Sequence, residues 1–181
     1  MEKFEYEFIR EYDRYISNLK KTSYDSKNDV YLCNDTSVIN VFDFDSIVKD
    51  LYPQRQPKSF DCILCDDKDI FCIEFKNSFP PDIKNRDVEC KLNNSQIIID
   101  EFCKSKGINK LEYRFIYCVI FKPYHNPAKL NRLYKSSIAG NSIHFELEKY
   151  KGIFFDEIIT KDKDFFIKNF SRLIKKQKLC C

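Results

Sequence analysis

Asp61, Glu74 and Lys76 are the residues of this sequence whose types and placement invite chemistry. Side chains alternate along a strand. In the run 70–76 (IFCIEFK), Phe71, Ile73 and Phe75 therefore fall on one face, and Cys72, Glu74 and Lys76 on the other. A carboxylate and an ammonium leave the same face of an otherwise apolar strand. The preceding run, 59–65, also reads as a strand, with Asp66-Asp67-Lys68-Asp69 as the hairpin turn between the two. Asp61 shares a face with Ile63 and Cys65, so the hairpin carries it toward the end that bears Glu74 and Lys76. The register is not fixed by the letters alone.

Charged groups in apolar surroundings are costly unless they are paired or bind a metal. Two carboxylates suit a hard divalent cation, Mg²⁺ or Mn²⁺. Such an ion activates water and neutralises charge on a phosphate. A lysine beside it stabilises developing negative charge or orients the attacking water. The plainer alternative is a salt-bridged hairpin on a solvent face.

The surrounding elements must position this trio. Residues 2–20 place Phe4, Phe8, Ile9, Tyr12, Tyr15, Ile16 and Leu19 at spacings of three and four, which predicts an amphipathic helix. Residues 21–29 read as a loop. Val30–Cys33 and Val38–Phe44 read as short extended stretches, and Ser46–Leu51 as a helical turn before the loop marked by Pro53 and Pro57. After Pro80-Pro81 a helix is expected from about Asp87 to Lys106, stopped by Gly107. Leu111–Lys122 has the pattern of a buried strand, Asn126–Ser136 of a basic helix, Ser142–Leu147 of an edge strand and Lys163–Lys176 of a final amphipathic helix. The order predicts an α/β fold, a single mixed sheet flanked by helices.

Asp61, twelve residues, then Glu74-Phe75-Lys76 resembles the core motif of the PD-(D/E)xK nuclease superfamily. The resemblance covers roughly residues 2–122 and implies the αβββαβ core of the restriction-endonuclease-like fold with C-terminal helical additions. It implies metal ligation by Asp61 and Glu74 and catalytic assistance from Lys76. An acidic residue on the family's first helix often adds a metal contact; Glu5, Glu7 and Glu11 are the options, with Glu11 favoured. A polar or basic residue on the helix after the ExK strand is also common, which points to Lys91 or Gln96 as substrate-binding groups. The sequence departs from the family pattern in having Phe60, not proline, before Asp61. A second spelling, Pro81-Asp82 followed by Glu89-Cys90-Lys91, is closer in its letters. Its gap is too short for two strands and a turn, and Glu89 and Lys91 fall at a helix start, so it is rejected as the catalytic site.

Composition bounds the rest. With 181 residues, 43% hydrophobic and 33% charged, the chain suits one domain over 1–181, a core of about 2–122 with a basic C-terminal extension of about 123–181. No apolar run is long enough to span a bilayer. The N-terminus does not read as a signal peptide, and membrane partners are not expected. Most of the nine cysteines lie in apolar runs, as buried thiols in a reducing compartment, the cytoplasm, would. Cys62 and Cys65, three apart on a strand, point to opposite faces and do not grip one metal. The terminal Cys180-Cys181 resembles a double-prenylation signal, but no GTP-binding motif accompanies it.

The first hundred residues lean acidic, while 104–135 and 161–181 are strongly basic. An acidic half can hold metal and a basic half a polyanion. Lys122, Lys129 and Arg132, interleaved with Tyr124 and Tyr134, could track a phosphate backbone, or form a solvated helix. His125 is a rim candidate for a base, and His144 a weaker one. The resemblance implies a metal-dependent endonuclease acting on DNA or RNA, with a homodimer as one arrangement for double-strand cutting. The rival expectation is a non-catalytic module of the same fold that binds nucleic acid or a protein partner, as an immunity-type protein does.

Overall fold

A six-stranded mixed sheet organises the chain, with strands in the order β1-β4-β5-β6-β7-β8. The computed structural model describes residues 1–34, 40–123 and 143–173, side chains from 170 onward excepted. Helix α1 (Lys3–Tyr12) is followed by a 3-10 turn, β1 (Ile16–Ser17) and the short α2 (Leu19–Thr22). A small hairpin of β2 (Tyr24–Asp25) and β3 (Val30–Tyr31) stands apart from the main sheet. Then come β4 (Val41–Asp43), α3 (Phe44–Leu51), β5 (Cys62–Asp66), β6 (Asp69–Lys76), α4 (Asn85–Ser105) and β7 (Arg114–Phe121). The last elements are β8 (Glu157–Asp162) and α5 (Lys163–Leu173). β1, β4, β5 and β6 run antiparallel, and β6, β7 and β8 run parallel. The fold is α/β with a mixed sheet flanked by helices, as its periodicities predict.

The hairpin forms where expected. Cys62 pairs with Ile73 and Asp66 with Asp69, and Asp67 takes the left-handed turn conformation at φ 55°. Short Asp side chains tolerate that conformation. Helix α4 ends as its sequence predicts: Gly107 adopts φ 58°, and the Ile108 amide donates to the Cys103 carbonyl at 2.8 Å. That bond satisfies a carbonyl the helix leaves without a partner.

Four expectations need correction. The helix expected over 2–20 ends at Tyr12, because Ile16 and Ser17 instead pair with Phe42 and Val41 at the sheet edge. The strand expected at 142–147 does not form over the described residues; Phe145 and Glu146 have φ of 66° and 57°, incompatible with extended backbone. The strand of this region is β8, pairing in parallel with β7. The extension after 122 therefore contributes a strand as well as a helix, and the loop expected at 21–29 contains β2. Asn126–Ser136 lies outside the described residues, as do the ends of the Val38–Phe44 stretch and of the last helix.

Both sheet faces are buried. Leu64, Phe71, Ile73, Cys118 and Ile120 pack on one side with Leu19, Leu32 and Phe166. On the other, Ile63, Ile70, Cys72, Tyr117 and Val119 meet Phe4 and Phe8 of α1, Ile47 of α3 and Val88, Leu92, Ile99 and Phe102 of α4. This second cluster is the larger core. Glu74 and Lys76 belong to its face by alternation from Cys72. Central strands covered on both sides read as continuous apolar runs, and Glu74 interrupts one.

Candidate metal and catalytic site

Asp61 lies just before β5 and is held by every polar atom it has. Its amide donates to the Ile73 carbonyl at 2.9 Å, and its carbonyl accepts from the Phe44 amide at 3.0 Å. Its Oδ2 accepts from the Phe75 amide at 2.6 Å, and its Oδ1 lies 3.3 Å from Lys91 Nζ. The residue before it is fixed as firmly. The Phe60 amide donates to Ser95 Oγ of α4 at 3.1 Å, and the Phe60 ring stacks on Phe44 at 4.5 Å. Proline has no N–H to donate, so a proline at position 60 would forfeit this bond to Ser95.

Glu74 sits opposite Asp61 and is fully buried. Lys91 Nζ lies 2.9 Å from its Oε2, and Lys76 Nζ lies 2.9 Å from its Oε1. The second contact is an ion pair without the alignment of a hydrogen bond. Burying one carboxylate costs several kcal/mol unless opposite charge is at hand. Here two ammonium groups meet two carboxylates, and the four charges balance. Lys76, Lys91 and Asp61 keep 19%, 20% and 20% of their side chains exposed, so the cluster reaches solvent in part while Glu74 does not. The hairpin is salt-bridged, but with Glu74 buried its charges sit at the boundary of the core and not on an open solvent face.

The electrostatics follow from this burial. Desolvation, and then the Glu74 carboxylate, push the Asp61 carboxyl up to about 7, against the pull of Lys91, the Phe75 amide and Lys76. Burial alone would lower the Lys91 ammonium, but Glu74 and Asp61 together hold it above the ordinary lysine range. Tyr117 of β7, buried against Phe60 and Phe155, has its hydroxyl raised well above the usual value by burial and then by Glu74 and Asp61. That hydroxyl has no hydrogen-bond partner among the described residues.

The structure brings Asp61, Glu74, Lys76 and Lys91 together. It does not bring Glu11 to them. Glu11 pairs with Lys106 at 2.6 Å, and Lys106 stands fifteen residues along α4 from Lys91, about 22 Å at the rise of a helix. Glu7 pairs with Arg10 at 2.7 Å. Gln96 is buried on α4, but its amide nitrogen donates to Asp100 at 2.7 Å, and it lies about 140° around the helix from Lys91. Lys122 follows β7 directly; its amide donates to the Lys76 carbonyl at 3.1 Å, and its ammonium lies over the Phe79 ring. It is therefore at the strand end that carries Lys76. Lys129, Arg132 and His125 lie outside the described residues. His144 packs edge-on against Phe121, and burial lowers its imidazole.

Two contributors are not evident from motif spacing: Ser95, which anchors Phe60, and the bridging role of Lys91. Both interrupt the apolar stripe of Val88, Leu92, Ile99 and Phe102 on α4, and a lysine in such a stripe is the signal that finds them. The closer-lettered second motif is helical, as its spacing predicts, yet it supplies this lysine.

No protein-family model, curated protein or solved structure matches this chain. Among the described residues, no group of three or more His, Cys, Asp or Glu side chains is arranged to hold a metal. The oxygens that the cluster could offer a cation are those of Asp61 and Glu74, both paired with lysine. They converge well enough for one lysine nitrogen to touch an oxygen of each. Hard oxygen donors of this kind fit Mg²⁺ or Mn²⁺, which commonly bind through one or two carboxylates and keep several waters.

Proposed function

We propose that the protein is a metal-dependent endonuclease that hydrolyses phosphodiester bonds of DNA or RNA, with a PD-(D/E)xK-type site. The observation that carries the reading is the convergence of Asp61 and a fully buried Glu74 on one cation position, with Lys76 beside them at the strand end. Asp61 and Glu74 would hold the ion. Bound there, Mg²⁺ or Mn²⁺ supplies activation of water and neutralisation of phosphate charge. Lys76, whose ammonium lies against Glu74 with its side chain one-fifth exposed, would offset charge that develops on the scissile phosphate. Lys122 at the same strand end would provide a cation for the nucleic-acid backbone, and Lys129 and Arg132, which follow it in sequence, are further candidates.

A second reading has its own observation. The four charges of the cluster already balance one another, as in a buried structural network, which favours a non-catalytic module that binds nucleic acid or a protein partner. One experiment separates the two. Wild type and Lys76→Ala are incubated with plasmid DNA, single-stranded DNA and RNA, with Mn²⁺ and with EDTA. Cleavage by wild type that EDTA and Lys76→Ala both abolish is the expected result. Wild-type protein inert on all three substrates with Mn²⁺, or full activity in Lys76→Ala, refutes the catalytic reading.

A further inference from the structure

Lys91 is where the cluster departs from a simple acid pair. Its nitrogen takes Oδ1 of Asp61 and Oε2 of Glu74, one oxygen from each carboxylate. Lys76 contacts the other Glu74 oxygen. The two lysines are therefore not equivalent. Lys91 stands between the acids, and Lys76 stands to one side.

A divalent ion draws carboxylate oxygens to between 2.0 and about 2.6 Å. An ammonium that touches the same two oxygens at 2.9 and 3.3 Å competes for them directly. Their separation is also limited by the framework. Asp61 is fixed by the Phe75 and Phe44 amides, and Glu74 by its place in a strand paired on both sides. Lys91 is the movable partner. Its stem leaves a helix, its side chain is one-fifth exposed, and rotation about its methylenes can carry the nitrogen toward solvent.

We propose that Lys91 is a tethered counter-ion of the metal site: it bridges Asp61 and Glu74 before the metal binds and is displaced from them when it does. This rests on the metal-site reading above. Without the ion, Lys91 keeps two carboxylates close together that would otherwise repel. With the ion, it is released near the strand end that carries Lys76, as a second cation facing an anionic substrate. Lys91 is thus a positioning residue in one state and a phosphate-facing residue in the other.

The test is calorimetric titration of Mn²⁺ into full-length wild type, Lys91→Met and Lys76→Met. Methionine keeps the length and apolar stem of the side chain without its charge. Lys91→Met should bind Mn²⁺ tighter than wild type by about tenfold or more, since charge-assisted hydrogen bonds no longer have to be broken. Lys76→Met should tighten binding less, because that lysine contacts one acid from the side. Equal tightening in both variants would reduce the effect to net charge and overturn the proposal. So would unchanged or weaker binding by Lys91→Met.

A second measurement needs no variant to fold. In wild type, the ¹⁵N-bound ammonium protons of Lys91 should give a protected NMR signal that is lost or shifted as Mg²⁺ saturates. A Lys91 signal that Mg²⁺ leaves unmoved overturns the proposal, while Mn²⁺ affinity in wild type leaves the metal-site reading standing. Absence of Mn²⁺ binding in wild type and both variants overturns the two together.

Discussion

Glu74→Gln isolates charge from shape at the centre of the site. Glutamine keeps the volume of Glu74 and one acceptor oxygen, but leaves Lys76 without its ion-pair partner and Lys91 with the single carboxylate of Asp61. Breaking a buried ion pair costs 3–5 kcal/mol when the remaining charge is fully enclosed. Both lysines reach solvent in part, so a loss of about 2–4 kcal/mol is expected for the metal-free protein. The response to metal is the sharper readout. An ion present at a hundredfold excess over its Kd stabilises the folded state by about 2.7 kcal/mol. At about 2–4 °C per kcal/mol for a domain of this size, wild type should gain about 5–11 °C in Tm with saturating Mn²⁺. Glu74→Gln should gain almost nothing, because one of only two acidic ligands is gone. Thermal unfolding followed by circular dichroism, with Mn²⁺ and with EDTA, measures both effects. A Mn²⁺ shift in Glu74→Gln equal to that of wild type would refute the site, as would no shift in wild type.

Three further outcomes follow from the same geometry. The folded Asp61 carboxyl is raised from its ordinary 3.8 to about 7, so the folded state holds a proton there that the unfolded chain releases. Its contribution to stability is present at the acid end of that window and is lost as pH rises from about 4 to about 7; comparing denaturant unfolding of wild type and Asp61→Asn at pH 5 and 7.5 should show the difference narrowing in the variant, and identical pH profiles would refute it. Mn²⁺ binding should run the opposite way, weakening below about pH 7 as Asp61 takes up its proton, with a pH-independent Kd as the contrary result. Tyr117→Phe removes a buried hydroxyl that has no partner, so its effect on stability should lie within about 1 kcal/mol of zero or be stabilising. A loss above about 2 kcal/mol in urea unfolding would show that the hydroxyl is bonded.

The local sequence determines a good deal of this protein. Alternation in the run 69–76, the Asp-rich turn and the apolar run before it define the hairpin, because a two-residue period and turn chemistry are written in adjacent residues. The stop of α4 is likewise local, resting on Gly107 and its left-handed backbone. Asp61, Glu74 and Lys76 could be chosen from that hairpin before their distances were known. Tertiary structure decided what local period could not. The amphipathic pattern of residues 2–20 continues past Tyr12, but pairing of Ile16 with Phe42 outweighs helix periodicity there. Glu11 has the right type on the right helix, yet α1 packs so that it meets the far end of α4. Lys91 is the converse case. It stands seventeen residues after Glu74 in sequence, and only the packing of α4 across the sheet sets its nitrogen between two carboxylates. Side-chain type and strand period fix which groups are available; the docking of a helix fixes which of them share a few ångströms of space.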